Sequence, residues 1–351
     1  MSLDRRQLLR GLLAAGVAAV PISALAGSAR GADAVGGALL EDFHLALLDV
    51  QNHVIETYWT GHIKLEKDQN GKDRFVFGAP LSAFPTGGWA PLECKFRKIG
   101  GVPAFLVCGG DEEDGRVTIH RTSDSAALGW TTGLKNFPHS LEYLPTADAV
   151  IVVGTAGLDD QDPGPPGERT GGSFLLFQAP TAERPGPLVK ISGPHAFREA
   201  HGVVLDQNND RLLWIYGGNK ILAYEVSGQG TGTTLTYLEH RSLTNNKFEN
   251  GHDLQPDLAE TQYLWATGSK SQFRINKSGG GRPRIDWEYP TPKVKSFSKH
   301  RSGRGIYTAD TLGNKYGSSW VDFVWPNQPV EAKPVGEQKE KWIYKARLTE
   351  I

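Results

Sequence analysis

The sequence is poor in methionine and cysteine, carries almost no net charge, and past Ala26 contains no long apolar run. Each scarcity excludes something. Two cysteines, Cys94 and Cys108, are too few for a disulfide-built scaffold, and the pair alone makes no metal site. A net charge of -1, from 38 Lys and Arg against 39 Asp and Glu, gives no general electrostatic basis for binding nucleic acid or an anionic membrane. Without a second apolar segment, no membrane span is expected once the N-terminal one is removed. No Gly-x-Ser-x-Gly elbow, phosphate loop or dinucleotide fingerprint occurs, which argues against acyl-transfer, NTP and NAD chemistry.

What is present starts with an N-terminal targeting segment. A basic stretch with Arg5-Arg6 precedes an apolar run from Gly11 to Ala26, which ends in the small-residue site Ala24-Leu25-Ala26. Arg5-Arg6 followed by Gln-Leu-Leu-Arg resembles a twin-arginine export signal, an ordinary secretory signal being the alternative. Residues 1–32 are therefore expected to be an export signal and residues 33–351 one mature domain, secreted or periplasmic. That compartment permits disulfides. In ECKFRKIGGVPAFLVCGG a turn centred on Gly101 would put Cys94 opposite Cys108, so a cross-strand disulfide is expected, with two buried thiols as the alternative.

The 42 glycines and the absence of a long amphipathic helix favour strands and turns. A hairpin recurs in NFPHSLEYLPTADAVIVVGT, EAHGVVLDQNNDRLLWIYGG and NGHDLQPDLAETQYLWATGS: a His opens a short strand, a polar turn follows, and a very apolar strand ends at Gly154, Gly217 or Gly268. Weaker copies place Cys94 or Glu93, and Lys295, in the position of the His. Each copy is followed by further segments of alternating apolar and polar residues, such as KILAYEVSG and TTLTYLEHRS, the pattern of half-buried strands. Four strands every 43 to 62 residues make the blade of a β-propeller. Unpaired sheet edges are a liability, so the two termini are expected to share a closing blade, giving five or six blades and preferably six. Residues 60–92 and 159–172 read as long loops.

The motifs PHSLEYLP, AHGVVLDQ, GHDLQP, VKSFSKH and the ending IYKARL, in that order, resemble a family of secreted bacterial and fungal propeller proteins without an assigned function. The resemblance covers most of the mature chain and implies the fold and export but no chemistry. Propeller polysaccharide lyases share the architecture, although none of their catalytic motifs is matched.

Because each innermost strand starts at one end of the channel, His139, His201, His252 and Lys295 should form an arc around one mouth. Aromatic residues precede these positions (Trp89, Phe137, Phe197, Phe248, Tyr289), and charged ones accompany them (Lys95, Arg198, Glu199, Asp253). Such a rim suits sugar rings, so the expected partner is a poly- or oligosaccharide, acidic in the sharpest version. For uronate elimination, His201 or His139 would be the base and His252 its partner, with Arg198 and Lys295 clamping the carboxylate. Glycoside hydrolysis would need two opposed carboxylates. Three histidines could instead hold a divalent metal, calcium or manganese, and the acidic loops 111–114 and 159–162 could bind Ca²⁺ or be solvated turns. A non-catalytic glycan- or protein-binding propeller is the remaining class.

Overall fold

The computed structural model describes residues 42–67, 70–71, 73–159, 171–277, 281–310, 313, 316–325, 328–333 and 341–349. The expected export segment and residues 160–162 of the second acidic loop lie outside these. The described chain folds as a six-bladed β-propeller, each blade built on four antiparallel strands, with further strands added at the outer side of blades 2, 4 and 6. From the channel outward, blade 1 is His44–Asp49, Val54–Trp59 and Ser82–Pro85, completed on the inside by Ile343–Leu348. The innermost strands of blades 2 to 6 are Pro91–Ile99, Pro138–Leu144, Ala200–Asp206, Asp253–Pro256 and Val294–Lys299. The C-terminal strand thus closes the ring by pairing with the first N-terminal strand, Leu45 facing Leu348 and Leu47 facing Ala346.

Strand alternation explains why the second strand of each blade is so apolar. In blade 3, Val150 and Val152 face blade 2, where they meet Leu106, Val117 and Ile119. Their neighbours Ala149, Ile151 and Val153 point the other way, toward Val203, Leu213 and Ile215 of blade 4. A strand packed on both faces loses the polar alternation of a half-exposed one. A polar device ties the blades at the far end of their innermost strands. Asp206 accepts from the Trp214 indole at 2.9 Å and from Lys277 of the next blade at 2.6 Å. Asp257, Trp265 and Lys299 repeat the arrangement one blade later, both bonds at 2.9 Å.

Two expectations need correction. The segment 60–92 is more than a loop: its hairpin, Lys64–Lys67 with Asp73–Val76, adds to the outer edge of blade 6 through Phe75 and Ala332. The disulfide does not form; Cys94 and Cys108 are buried free thiols. The turn is the two-residue Gly100-Gly101, both at positive φ, so Ile99 pairs with Val102 and Cys94 falls opposite Val107. A slip of one residue turns a side chain to the other face. Cys94 accordingly packs with Ala46 and Leu48 of blade 1, and Cys108 with Leu141 of blade 3. Burial and the nearby Glu93 carboxylate push both thiols up, keeping them protonated.

Candidate functional site

The start of each innermost strand carries the same irregularity. A one-residue bulge interrupts the pairing at Leu92, His139, His201, Lys295 and Tyr344. His252 stands at the corresponding place, just before its strand, its N–H on the Thr267 carbonyl at 2.7 Å. A bulged residue has no partner across the ladder and is re-aimed by the extra twist. Two residues earlier, Phe137, Glu199, Asn250 and Lys293 all adopt left-handed φ between 44° and 60°. Non-glycine residues enter that region at a cost of about 1 to 2 kcal/mol each, and such strain gathers at functional sites.

This backbone brings the histidines together. The His139 and His201 rings meet edge to face at 4.5 Å, His201 and His252 at 5.4 Å, and Tyr344 approaches His139 at 6.3 Å. The left-handed residues hold two of the rings: His139 Nδ1 lies 2.8 Å from the Phe137 carbonyl, and His201 Nδ1 lies 2.9 Å from that of Glu199. A carbonyl can only accept, so Nδ1 carries a proton in both rings, and in a neutral ring Nε2 then keeps its lone pair. His252 Nε2 pairs with the Ser269 hydroxyl at 3.4 Å, while its Nδ1 is buried without a hydrogen-bond partner. Burial, then the proximity of His139 and His252, holds His201 well below the ordinary imidazole range. Burial, then the charge of Lys295, does the same to His252. Both are neutral at physiological pH.

One residue further along the same strands the channel is closed by charge. Glu93 and Lys345 are 0% exposed, Asp253 1% and Arg347 2%. Arg347 donates through Nε and Nη2 to Glu93 at 2.5 and 2.8 Å, and through Nη1 and Nη2 to Asp253 at 2.9 and 2.6 Å. Lys345 reaches Glu93 and the His139 carbonyl, each at 3.2 Å. Burial alone would raise the Glu93 carboxyl; Arg347 and Lys345 overrule it and hold the group well below the usual carboxylate range. Lys95 and Arg97 share Glu142 in the same way, at 3.2 and 2.6 Å.

The expected residues therefore separate. His139, His201, His252 and Lys295 occupy the mouth, with Phe137 edge-on to His139 at 4.4 Å. Lys95 and Asp253 lie deeper, in the ion pairs. Trp89, Phe197 and Phe248 are buried in the packing between blades and are not a rim. Tyr289 stacks on Trp287 on the outermost strand of blade 5. Arg198 is buried against the backbone of Gly218, and Glu199 contributes its carbonyl. In the first copy Leu92 takes the bulged position, not Cys94 or Glu93, and Tyr344 takes it in the closing blade. Tyr344, Lys345 and Arg347 were missed; the alternation of IYKARL was the available signal. Among the described residues, no group of three or more His, Cys, Asp or Glu side chains is placed to hold a metal ion. The loop 111–114 is a self-capped turn, with Asp111 accepting from the Glu113 and Asp114 N–H groups at 2.8 and 2.7 Å.

No protein-family model and no curated protein matches the chain. Solved structures share its fold. A nidogen–laminin complex is 11% identical with a TM-score of 0.53, over 89% of this chain and 100% of that one. A functionally unknown protein from Desulfotomaculum acetoxidans is 10% identical with a TM-score of 0.51, over 81% and 75%. A candidate 6-phosphogluconolactonase from Bacteroides fragilis is 9% identical with a TM-score of 0.51, over 90% and 100%. Among the described residues no helix is long and apolar enough to cross a membrane.

Proposed function

We propose that the histidine mouth binds the carboxylate end of a hydroxylated acid, a uronic-acid sugar first of all, and that its sharpest activity is elimination. The observation that carries this reading is the set of imidazoles beside Lys295, His201 and His252 held neutral, and the rings of His139 and His201 fixed through Nδ1 by backbone. Lys295 would neutralise the carboxylate, taking alone the clamp that Arg198 cannot share from its buried position. His201 Nε2 would take the proton α to the carboxyl. The C–H electron pair becomes the new C=C bond, the C4–O bond breaks, and the proton passes to the departing oxygen directly or by way of His252. A bound carboxylate also raises the basicity of the imidazoles that burial has lowered.

Two alternatives divide on single observations. Binding without turnover is favoured by the same depressed imidazoles, which are weak bases until an anion arrives. Hydrolysis has less support, because Glu93 and Asp253 are both locked on Arg347 and neither is poised as a proton donor. Export through Arg5-Arg6 belongs to the same proposal.

The test is calorimetric titration with monomeric and oligomeric uronates, together with the ultraviolet absorbance of an unsaturated product. Elimination predicts both signals and their loss in His201→Ala. Binding with no absorbance leaves a recognition protein. No binding to any uronate overturns the reading.

A further inference from the structure

A second feature lies at the opposite end of the channel, where the innermost strands of blades 1, 2, 5 and 6 finish. A cavity of about 60 Å³ opens there among Lys95, Arg97, Lys299, Arg347, Gln255 and Ser298, the rest of its lining being mainly apolar. No carboxylate lines it. The acids that partner these cations are not in its lining: Glu142 holds Lys95 and Arg97, Asp257 and Glu260 hold Lys299 at 2.9 and 3.2 Å, and Glu93 and Asp253 hold Arg347. These ion pairs fix the cations in place, and Lys95, Arg97 and Lys299 each have more N–H groups than their acids take up, so preorganised donors face the cavity.

Size narrows the occupant. A buried water needs roughly 10 to 15 Å³ of such space, so the cavity holds about four to six waters, enough for one tetrahedral oxyanion. Gln255 and Ser298, both buried, add neutral polar groups. We infer that this mouth binds a single phosphate or sulfate group, free or as the terminal group of a larger molecule. The inference is independent of the histidine mouth.

The test is titration of the full chain with inorganic phosphate and sulfate at constant ionic strength, with chloride as the control, followed by calorimetry and melting temperature. Saturable phosphate or sulfate binding is expected, weakened on the order of tenfold in Lys299→Gln, the usual effect of losing one hydrogen bond from a charged donor. Leu258→Glu, on the cavity wall, adds a negative charge without removing an ion pair and should weaken binding at least as much. His201→Ala should leave it unchanged, which separates this site from the other mouth. Phenyl phosphate distinguishes the sources: equal or tighter binding means the group enters on a larger ligand, and exclusion means a free oxyanion. A phosphate and sulfate response no larger than that of chloride, or one untouched by Lys299→Gln and by a folded Leu258→Glu, overturns the inference.

Discussion

The histidine mouth and the ion belt beneath it are one residue apart on the same strands, yet they are opposites. His139 precedes Ser140, whose hydroxyl donates to Glu93; His252 precedes Asp253; Tyr344 precedes Lys345. In the belt every full charge meets an opposite one at hydrogen-bonding distance. At the mouth Lys295 is the one lysine among the expected residues, His201 and His252 are neutral, the rings touch edge to face, and backbone carbonyls fix those of His139 and His201. The difference separates closure from recognition. The belt joins blades 1, 2 and 5 across the channel, and the mouth keeps hydrogen-bonding capacity for something else.

Breaking the belt should have the largest effect. Arg347→Met would leave Glu93 and Asp253 buried without their main cation and lower stability by about 3 to 5 kcal/mol in urea denaturation. Adding Glu93→Gln and Asp253→Asn should recover part of the loss. An unchanged midpoint in the single variant would mean the belt does not hold the ring shut.

Acid should come next, and it acts on the mouth before the belt. His201 and His252 have folded pKa values below the unfolded value near 6.5, so the unfolded chain takes up protons first as pH falls. Stability is present above pH 6.5 and is lost below it, by up to about 1.4 kcal/mol per pH unit for each histidine. Glu93 and Glu142 are depressed as well, from 4.5, and add their own losses only below that value. Melting temperatures from pH 7 to pH 5 in the parent and in the His201→Gln, His252→Gln double variant check the sign; the double variant should lose most of the slope.

His201→Ala sharpens the contrast from the other side. It should weaken uronate binding at least tenfold, roughly one charge-assisted hydrogen bond, while changing stability by less than half the Arg347→Met effect. A stability loss as large, with binding intact, would return His201 to a structural role. The smallest effect concerns the cysteines. Dithiothreitol should not move the melting temperature, and both thiols should resist a thiol reagent until the chain unfolds.

The blade repeat was legible because a hairpin entry with one residue type returned three times in register. The arc followed, since strand starts in a propeller share one end of the channel. Leu92 and Tyr344 were not legible as members of that ring, because what they share with the histidines is a backbone bulge and not a side-chain type. The aromatic rim failed for a related reason. An aromatic just before a strand can turn toward the mouth or between blades, and Trp89, Phe197 and Phe248 turned inward, where burying their large apolar surfaces is most favourable.

By itself, the order of residues determined the strands, the blade period, closure by the termini and the neighbourhood of His139, His201, His252 and Lys295, because these follow from local alternation and a repeating unit. Only the tertiary structure decided the pairing of Arg347 with Glu93 and Asp253, the separation of Cys94 from Cys108, and the neutral state of His201 and His252. Those depend on which faces meet across the channel, on a one-residue register, and on burial, and none of the three is written in any short stretch of chain.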